Sequence, residues 1–90
     1  MSAATVTVEF LGIVRHRAGC ESAEFQAATL QQLWTAVGRR FPELEGSCIV
    51  EGRLQPGYLA SIGGLRFTRS ASLPLHEGDR VLLLSADAGG

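Results

Sequence analysis

One segment of this sequence has the periodicity of a helix, and the segments around it have the periodicity of strands. In "TLQQLWTAVGRRF", residues 29–41, the apolar side chains recur at helical spacing and form a single stripe, which consists of Leu30, Leu33, Trp34, Val37 and Phe41. Thr29 is a suitable N-cap, and Phe41-Pro42 should end the helix because a residue before proline avoids the α region. One helix can bury such a stripe only against a sheet, so we expect it to lie across one sheet face.

The strands are predicted from the alternation of apolar and polar residues. Residues 5–11 form a first strand with Val6, Val8 and Phe10 on one face, and "CESAEFQA", residues 20–27, pairs back on it as a hairpin. The intervening "VRHRAG" is interpreted as a turn, so the segment at residues 29–41 is the only helix predicted.

The second half of the chain contains three more predicted strands. "YLASI" and "LRFT" form a hairpin around Gly63-Gly64, and "VLLLS" is the last strand, whose uninterrupted apolar run suits a central position. Residues 45–57 and 69–80 are predicted loops. The fold class is therefore α+β, with a mixed sheet of about five strands and one main helix packed on one face.

Composition limits the classes of partner and of compartment. The chain has 90 residues and a formal net charge of −1, so it should form one small domain and should not attract nucleic acid. It has no long apolar run and no secretory signal pattern, which predicts a cytoplasmic protein without membrane contact. All eight basic residues are arginines, which excludes self-chains linked through lysine.

The sequence offers few ligands for a metal ion or a cofactor. Cys20 and Cys48 have neither the number nor the spacing of a disulfide framework or zinc site, and His16 and His76 do not share a helical spacing with them. We predict no metal site and no bound cofactor. The two thiols are interpreted as structural residues, with a persulfide relay as the open alternative.

Two motifs and the chain end resemble the MoaD/ThiS family of ubiquitin-like sulfur carriers, which have the β-grasp fold. "VTVEFLGIVRHRAG" is similar to the family's first strand and the turn after it, with Arg15, Ala18 and Gly19 in matching positions. "SLPLHEGDRVLLL" is similar to its Leu-x-x-Gly-Asp-x-Val signature, and the sequence ends in Gly89-Gly90.

The resemblance implies that the C-terminal carboxylate is the reacting group. An E1-like (MoeB-type) adenylating enzyme would activate Gly90 with ATP, and a persulfide would then displace AMP to leave a thiocarboxylate. Gly89 and Gly90 suit this chemistry because glycine lacks a Cβ and allows close approach of the backbone to another protein. The resemblance further implies a domain over residues 1–84 and a flexible tail over residues 85–90.

A docking surface is predicted beside this tail. If Val81 and Leu83 point to the core, period two leaves Leu82 and Leu84 facing outward, and exposed apolar residues beside a reactive tail suit partner binding. The other predicted partner-binding residues are Ser85, Ala86, Asp87, Ala88 and, from the resemblance, Arg15. The alternative is that the loop at residues 45–57 covers Leu82 and Leu84.

The preferred function is the small subunit of molybdopterin synthase, with the large subunit as the sulfur acceptor in molybdenum cofactor biosynthesis. Sulfur carriers for cysteine or thiamine-type biosynthesis use the same tail chemistry and remain open. A ubiquitin-like modifier joined to lysines of target proteins is a second class, and a β-grasp binding module without tail chemistry is a third.

Overall fold

The computed structural model describes residues 3–63, 66–68 and 70–86 of the chain. In chain order the elements are β1 (Ala4–Phe10), α1 (Gly12–Ala18), β2 (Ser22–Ala27), α2 (Leu30–Arg40), β3 (Ile49–Val50), β4 (Arg53–Leu54), β5 (Tyr58–Ile62), β6 (Arg66–Thr68) and β7 (Arg80–Ser85). Within this described part, five strands form a mixed sheet in the order β2-β1-β7-β5-β6, and β3 and β4 form a separate pair. This architecture confirms the predicted β-grasp fold class.

The β1–β2 hairpin follows the predicted alternation. Val6, Val8 and Phe10 are almost fully buried, and Val6 lies opposite Phe25 across the antiparallel pair. β1 begins and ends one residue earlier than predicted, and β2 begins at Ser22 instead of residue 20. The later start of β2 follows from the left-handed conformation of Gly19, after which the chain needs two residues to enter the strand.

The last strand is central, as its apolar run predicted. β7 is parallel to β1, with Val81 beside Val8, and antiparallel to β5, with Leu83 opposite Ala60. Because β1 and β7 run in the same direction, both strands finish at the same end of the sheet.

Helix α2 packs its predicted stripe on one face of this sheet. Leu30, Leu33 and Val37 are completely buried, and the Thr29 hydroxyl accepts a hydrogen bond from the Gln32 N–H at 3.3 Å. The helix ends at Arg40, directly before the predicted stop. We call the face covered by α2 the inner face and the opposite one the outer face. No helix among the described residues is long and apolar enough to cross a membrane.

The interpretation of residues 14–19 as a turn was wrong, and so was the expectation of a single helix. Gly12–Ala18 forms helix α1, which ends where the Gly19 N–H donates to the Arg15 carbonyl at 2.9 Å. This helix has only two turns, and of its seven residues, all of which the structure describes, Val14 alone is buried. One buried position produces no recognisable stripe, so the sequence pattern could not identify the helix.

The segment at residues 45–57, predicted as a loop, contains the short antiparallel pair β3–β4. Cys48 and Ile49 are fully buried, and both strands pack against α2. The segment therefore lies on the helix side of the sheet and does not cover the outer face. This placement excludes the alternative in which it shields Leu82 and Leu84.

Candidate docking surface and chain exit

The outward direction predicted for Leu82 and Leu84 is confirmed. Val81 and Leu83 are completely buried in the core, whereas Leu82 and Leu84 are half-buried on the outer face. This alternation follows from the strict period of two along a strand.

The neighbouring strands extend these two leucines into an apolar surface. Leu59 of β5 lies opposite Leu84, and Ser61 lies between Leu82 on one side and Phe67 of β6 on the other. Ser61 is 2% exposed, whereas Phe67 is 59% exposed. We call Leu59, Leu82, Leu84 and Phe67 the outer apolar strip.

Charged side chains limit the strip on the β1 side. The Arg80 guanidinium lies 3.1 Å from the carboxylate of Glu9, which lies beside Leu82 in the parallel β1–β7 pair. An apolar centre with a charged margin is the usual composition of a protein–protein interface.

The predicted tail begins inside the sheet. Ser85 is the last residue of β7, and the Ala86 N–H donates to the Gly57 carbonyl at 2.6 Å, which attaches Ala86 to the start of β5. Asp87, Ala88, Gly89 and Gly90 lie outside the described residues. The described chain thus ends one residue beyond the central strand, next to the outer apolar strip.

Helix α1 begins at the same end of the sheet. The Leu11 N–H donates to the Leu83 carbonyl at 3.0 Å, and Leu11 and Ile13 are 38% and 48% exposed. Arg15, predicted as a partner-binding residue, lies on this helix and forms an exposed ion pair with Glu21 at 2.9 Å. Arg15 therefore contacts the residue directly before β2 and not the end of β7.

Arg17 and Tyr58 were not identified from the sequence, although both lie where the chain leaves β7. The Arg17 Nη1 donates to the Tyr58 hydroxyl at 3.2 Å, and Tyr58 lies directly opposite Ser85. The available signal was weak, since Tyr58 was predicted only as the first residue of a strand and Arg17 as part of a turn.

The two thiols differ in their surroundings. Cys20 is half-buried, whereas Cys48 is fully buried in the core. Burial raises the pKa of the Cys48 thiol from its ordinary 9.0 to about 12, although the charge of Arg17 opposes this shift. Cys48 therefore stays protonated near neutral pH and is a poor nucleophile. Across residues 3–63, 66–68 and 70–86 no cluster of three or more His, Cys, Asp and Glu side chains is placed to hold a metal ion.

The structure is similar to several small proteins of known structure. Small archaeal modifier protein 1 from Methanosarcina acetivorans has a TM-score of 0.84 and 18% identity, with 98% of each chain covered. A putative molybdopterin converting factor subunit 1 from Pyrococcus furiosus has a TM-score of 0.77 and 19% identity over 92% of this chain and 98% of that one. The BexX/CysO complex of Amycolatopsis orientalis contains a chain with a TM-score of 0.78 and 25% identity, over 94% of this chain and 99% of that one.

No family model and no curated protein matches the chain. The likeness rests on the fold, and the aligned part covers nearly the whole length of each compared protein. It shows that the chain has the ubiquitin-like β-grasp fold, which it shares with the small archaeal modifier protein, the putative converting factor subunit and the chain of the BexX/CysO complex.

Proposed function

We propose that this chain is a ubiquitin-like sulfur carrier whose reacting group is the carboxylate of Gly90. The observation that supports the proposal most directly is the position of β7. This central strand presents Leu82 and Leu84 on an open face and leads from them into the segment that ends in Gly89-Gly90. A partner that binds the outer apolar strip would therefore hold the end of the chain beside its own active site.

The proposed chemistry has three steps: adenylation, attack by a persulfide, and reduction. The Gly90 carboxylate attacks the α-phosphate of ATP, which releases pyrophosphate and leaves an acyl adenylate. A persulfide sulfur attacks the acyl carbon and expels AMP, and a second thiol reduces the resulting acyl disulfide. The product is a thiocarboxylate at Gly90. The activating enzyme supplies the ATP site and the thiols, while this chain supplies the carboxylate and binds no cofactor itself.

Two partners follow from this chemistry. The first is an E1-like, MoeB-type adenylating enzyme, and the second is an acceptor enzyme that takes the sulfur. We propose the large subunit of molybdopterin synthase as the acceptor. The likeness to a putative molybdopterin converting factor subunit 1 supports this branch, and the likeness to the BexX/CysO complex supports another sulfur acceptor as the alternative.

A role as a protein modifier is the second candidate. It is favoured by the likeness to small archaeal modifier protein 1, which extends over 98% of both chains. A modifier would use the same adenylate but would transfer the Gly90 acyl group to a lysine amine of a target protein.

The decisive experiment measures the intact mass of the purified full-length chain after incubation with a MoeB-type enzyme, ATP and a persulfide donor. We expect a gain equal to the replacement of one oxygen by sulfur, assigned to Gly90 by fragmentation. The untreated mass also shows whether Gly90 is the carboxyl terminus of the purified protein, as the proposal requires.

Two controls separate the candidates. A chain that lacks Gly89-Gly90 should show no gain in mass. If the native chain is unchanged while the same enzyme activates another carrier, the sulfur-carrier proposal is wrong. Conjugates of the chain with lysines of other proteins, found without any thiocarboxylate, would support the modifier instead.

A further inference from the structure

We propose a second binding site, separate from the outer apolar strip, at the free edge of β2 beside helix α2. This site would bind an extended peptide segment as an added strand, with acidic side chains at alternate positions. The inference does not depend on sulfur transfer, because it rests on backbone groups and side chains at the far edge of the sheet from β6.

The hydrogen-bonding pattern of β1 and β2 shows which backbone groups face this edge. The Phe10 N–H donates to the Glu21 carbonyl at 2.8 Å, so Phe10 and Glu21 form a hydrogen-bonded pair. Along the same register, Gln26 lies in a pair that exchanges no hydrogen bonds with β1. The N–H and C=O of Gln26 therefore point away from the sheet, and neither has a partner among the described residues.

Two polar contacts occupy the edge on either side of Gln26. The Arg40 Nη1 donates to the Glu24 carbonyl at 3.1 Å, and the Ala28 N–H donates to the Gln32 side chain at 2.8 Å. Just beyond them, the Leu75 N–H donates to the Ala28 carbonyl at 2.9 Å. The continuation of this edge thus already pairs with an extended segment of the chain itself.

Two concave surfaces flank the free part of the edge, and both include Gln26. A groove of about 390 Å³ lies on the side of α2, and its lining consists of Gln26, Gln31, Gln32, Thr35, Ala36 and Arg39. A smaller one of about 210 Å³ lies on the other side, with Thr5, Glu24 and Phe25 beside Gln26. Because side chains of a strand alternate between its two faces, an added strand would place successive residues in the two concavities.

The charges on the two sides of the edge indicate which peptide would bind and in which register. The groove beside α2 contains the exposed Arg39, which has no partner in the part of the chain described. The opposite concavity contains the Glu24 carboxylate, which repels acidic groups. A peptide with acidic residues at every second position would therefore place these acidic side chains toward α2. The uncharged residues between them would face Thr5. Opposite charges across an interface favour such a register.

The test uses the 15N-labelled full-length chain and the peptide acetyl-Thr-Glu-Thr-Glu-Thr-Glu-Thr-amide, followed by NMR titration. We expect shift changes at Glu24, Gln26, Ala36 and Arg39 and slower hydrogen exchange of the Gln26 N–H. The control peptide acetyl-Thr-Thr-Glu-Glu-Glu-Thr-Thr-amide has the same composition, but its glutamates do not share one face. It should bind several-fold more weakly.

Two variants test the backbone and the charge separately. Gln26→Pro removes the N–H at the free edge but no hydrogen bond between β1 and β2. The loss of one hydrogen bond to the peptide should weaken binding about two- to tenfold. Arg39→Glu should weaken it about fivefold, whereas Arg53→Glu, an exposed charge reversal on β4, should not. If Gln26→Pro does not fold, the difference in peptide binding between Arg39→Glu and Arg53→Glu tests the proposal without it.

Three results would overturn the proposal. The first is the absence of binding at millimolar peptide, and the second is shift changes centred on Leu82 and Leu84. The third is self-association that Gln26→Pro abolishes without any peptide binding, which would assign the edge to a second copy of this chain.

Discussion

Arg17 of α1 and Tyr58 of β5 are joined by a hydrogen bond of 3.2 Å at the point where the chain leaves β7. Because Tyr58 lies opposite Ser85, this bond connects the short helix to the last two described residues. The adjacent bond from the Ala86 N–H to the Gly57 carbonyl fixes the backbone at the same place. The place where the described part of the chain ends, at Ala86, is thus fixed by residues that are remote in sequence.

The Arg17–Tyr58 bond should contribute measurably to stability. Tyr58→Phe removes the hydroxyl acceptor but keeps the ring, so we expect the free energy of unfolding to fall by about 1 kcal/mol. Urea denaturation measures the change. Arg15→Gln, which removes only an exposed ion pair on the same helix, is the control and should change the stability by less than about 0.5 kcal/mol. Equal losses in the two variants would contradict the proposed contribution of the bond.

The outer apolar strip should be required for activation but not for folding. Leu84→Asp places a charge at the centre of the proposed interface and should lower kcat/KM in ATP–pyrophosphate exchange about ten- to a hundredfold. Ser22→Asp adds the same charge on the same face at the edge strand β2 and should have little effect. Circular dichroism verifies that both variants are folded. An unchanged rate for a folded Leu84→Asp variant would exclude the strip as the docking surface.

Gly90→Ala should separate chemistry from folding. The added methyl group hinders approach to the acyl carbon, so sulfur uptake should decrease strongly, while the melting temperature should not change because the last residue of a chain contributes little to folding. Intact mass after activation and a thermal melt measure the two effects. The control is Val37→Ala, which removes buried volume from the core and should lower stability more than sulfur uptake. A Gly90→Ala chain that accepts sulfur normally would contradict the proposed role.

Cys48 should make the stability depend on alkaline pH. Its pKa is raised by burial from 9.0 to about 12, so the unfolded state loses the proton first. The resulting stabilisation is fully present below pH 9 and should be lost as the pH rises toward 12, with a limiting slope of about 1.4 kcal/mol per pH unit.

The Cys48→Ala variant isolates this contribution. Its free energy of unfolding should fall less steeply between pH 9 and 11 than that of the native chain, although it is less stable at neutral pH because the core loses volume. Val37→Ala is the control, because it also removes core volume but keeps Cys48, and it should keep the native slope. Parallel pH profiles for the native chain and Cys48→Ala would show that Cys48 does not contribute the predicted pH dependence.

Elements with a long one-sided pattern were predictable. Helix α2 buries Leu30, Leu33 and Val37 along eleven residues, and the apolar run of β7 correctly indicated a central strand. Helix α1 was missed because seven residues with only Val14 buried carry no detectable period. The two-residue strands β3 and β4 were missed for the same reason.

The candidate docking surface was predictable only in part. Leu82 and Leu84 follow from alternation within one strand, but Leu59 and Phe67 join them through the registers of β5 with β7 and β6. Register between strands depends on which apolar faces are buried together, and a single segment does not contain that information.

The sequence by itself determined which side chains share a face within β1, β2, α2 and β7, where α2 begins and ends, and that Gly89-Gly90 follows the last strand. Steric limits on the backbone fix these local periods, so they are visible in a short window of residues. The tertiary structure alone decided that β3 and β4 pack on α2 and leave the outer face open. It also decided that Arg17 contacts Tyr58, 41 residues away, and that the Gln26 backbone faces a free edge. These relations depend on burial and hydrogen bonding between distant segments, which only the complete fold brings together.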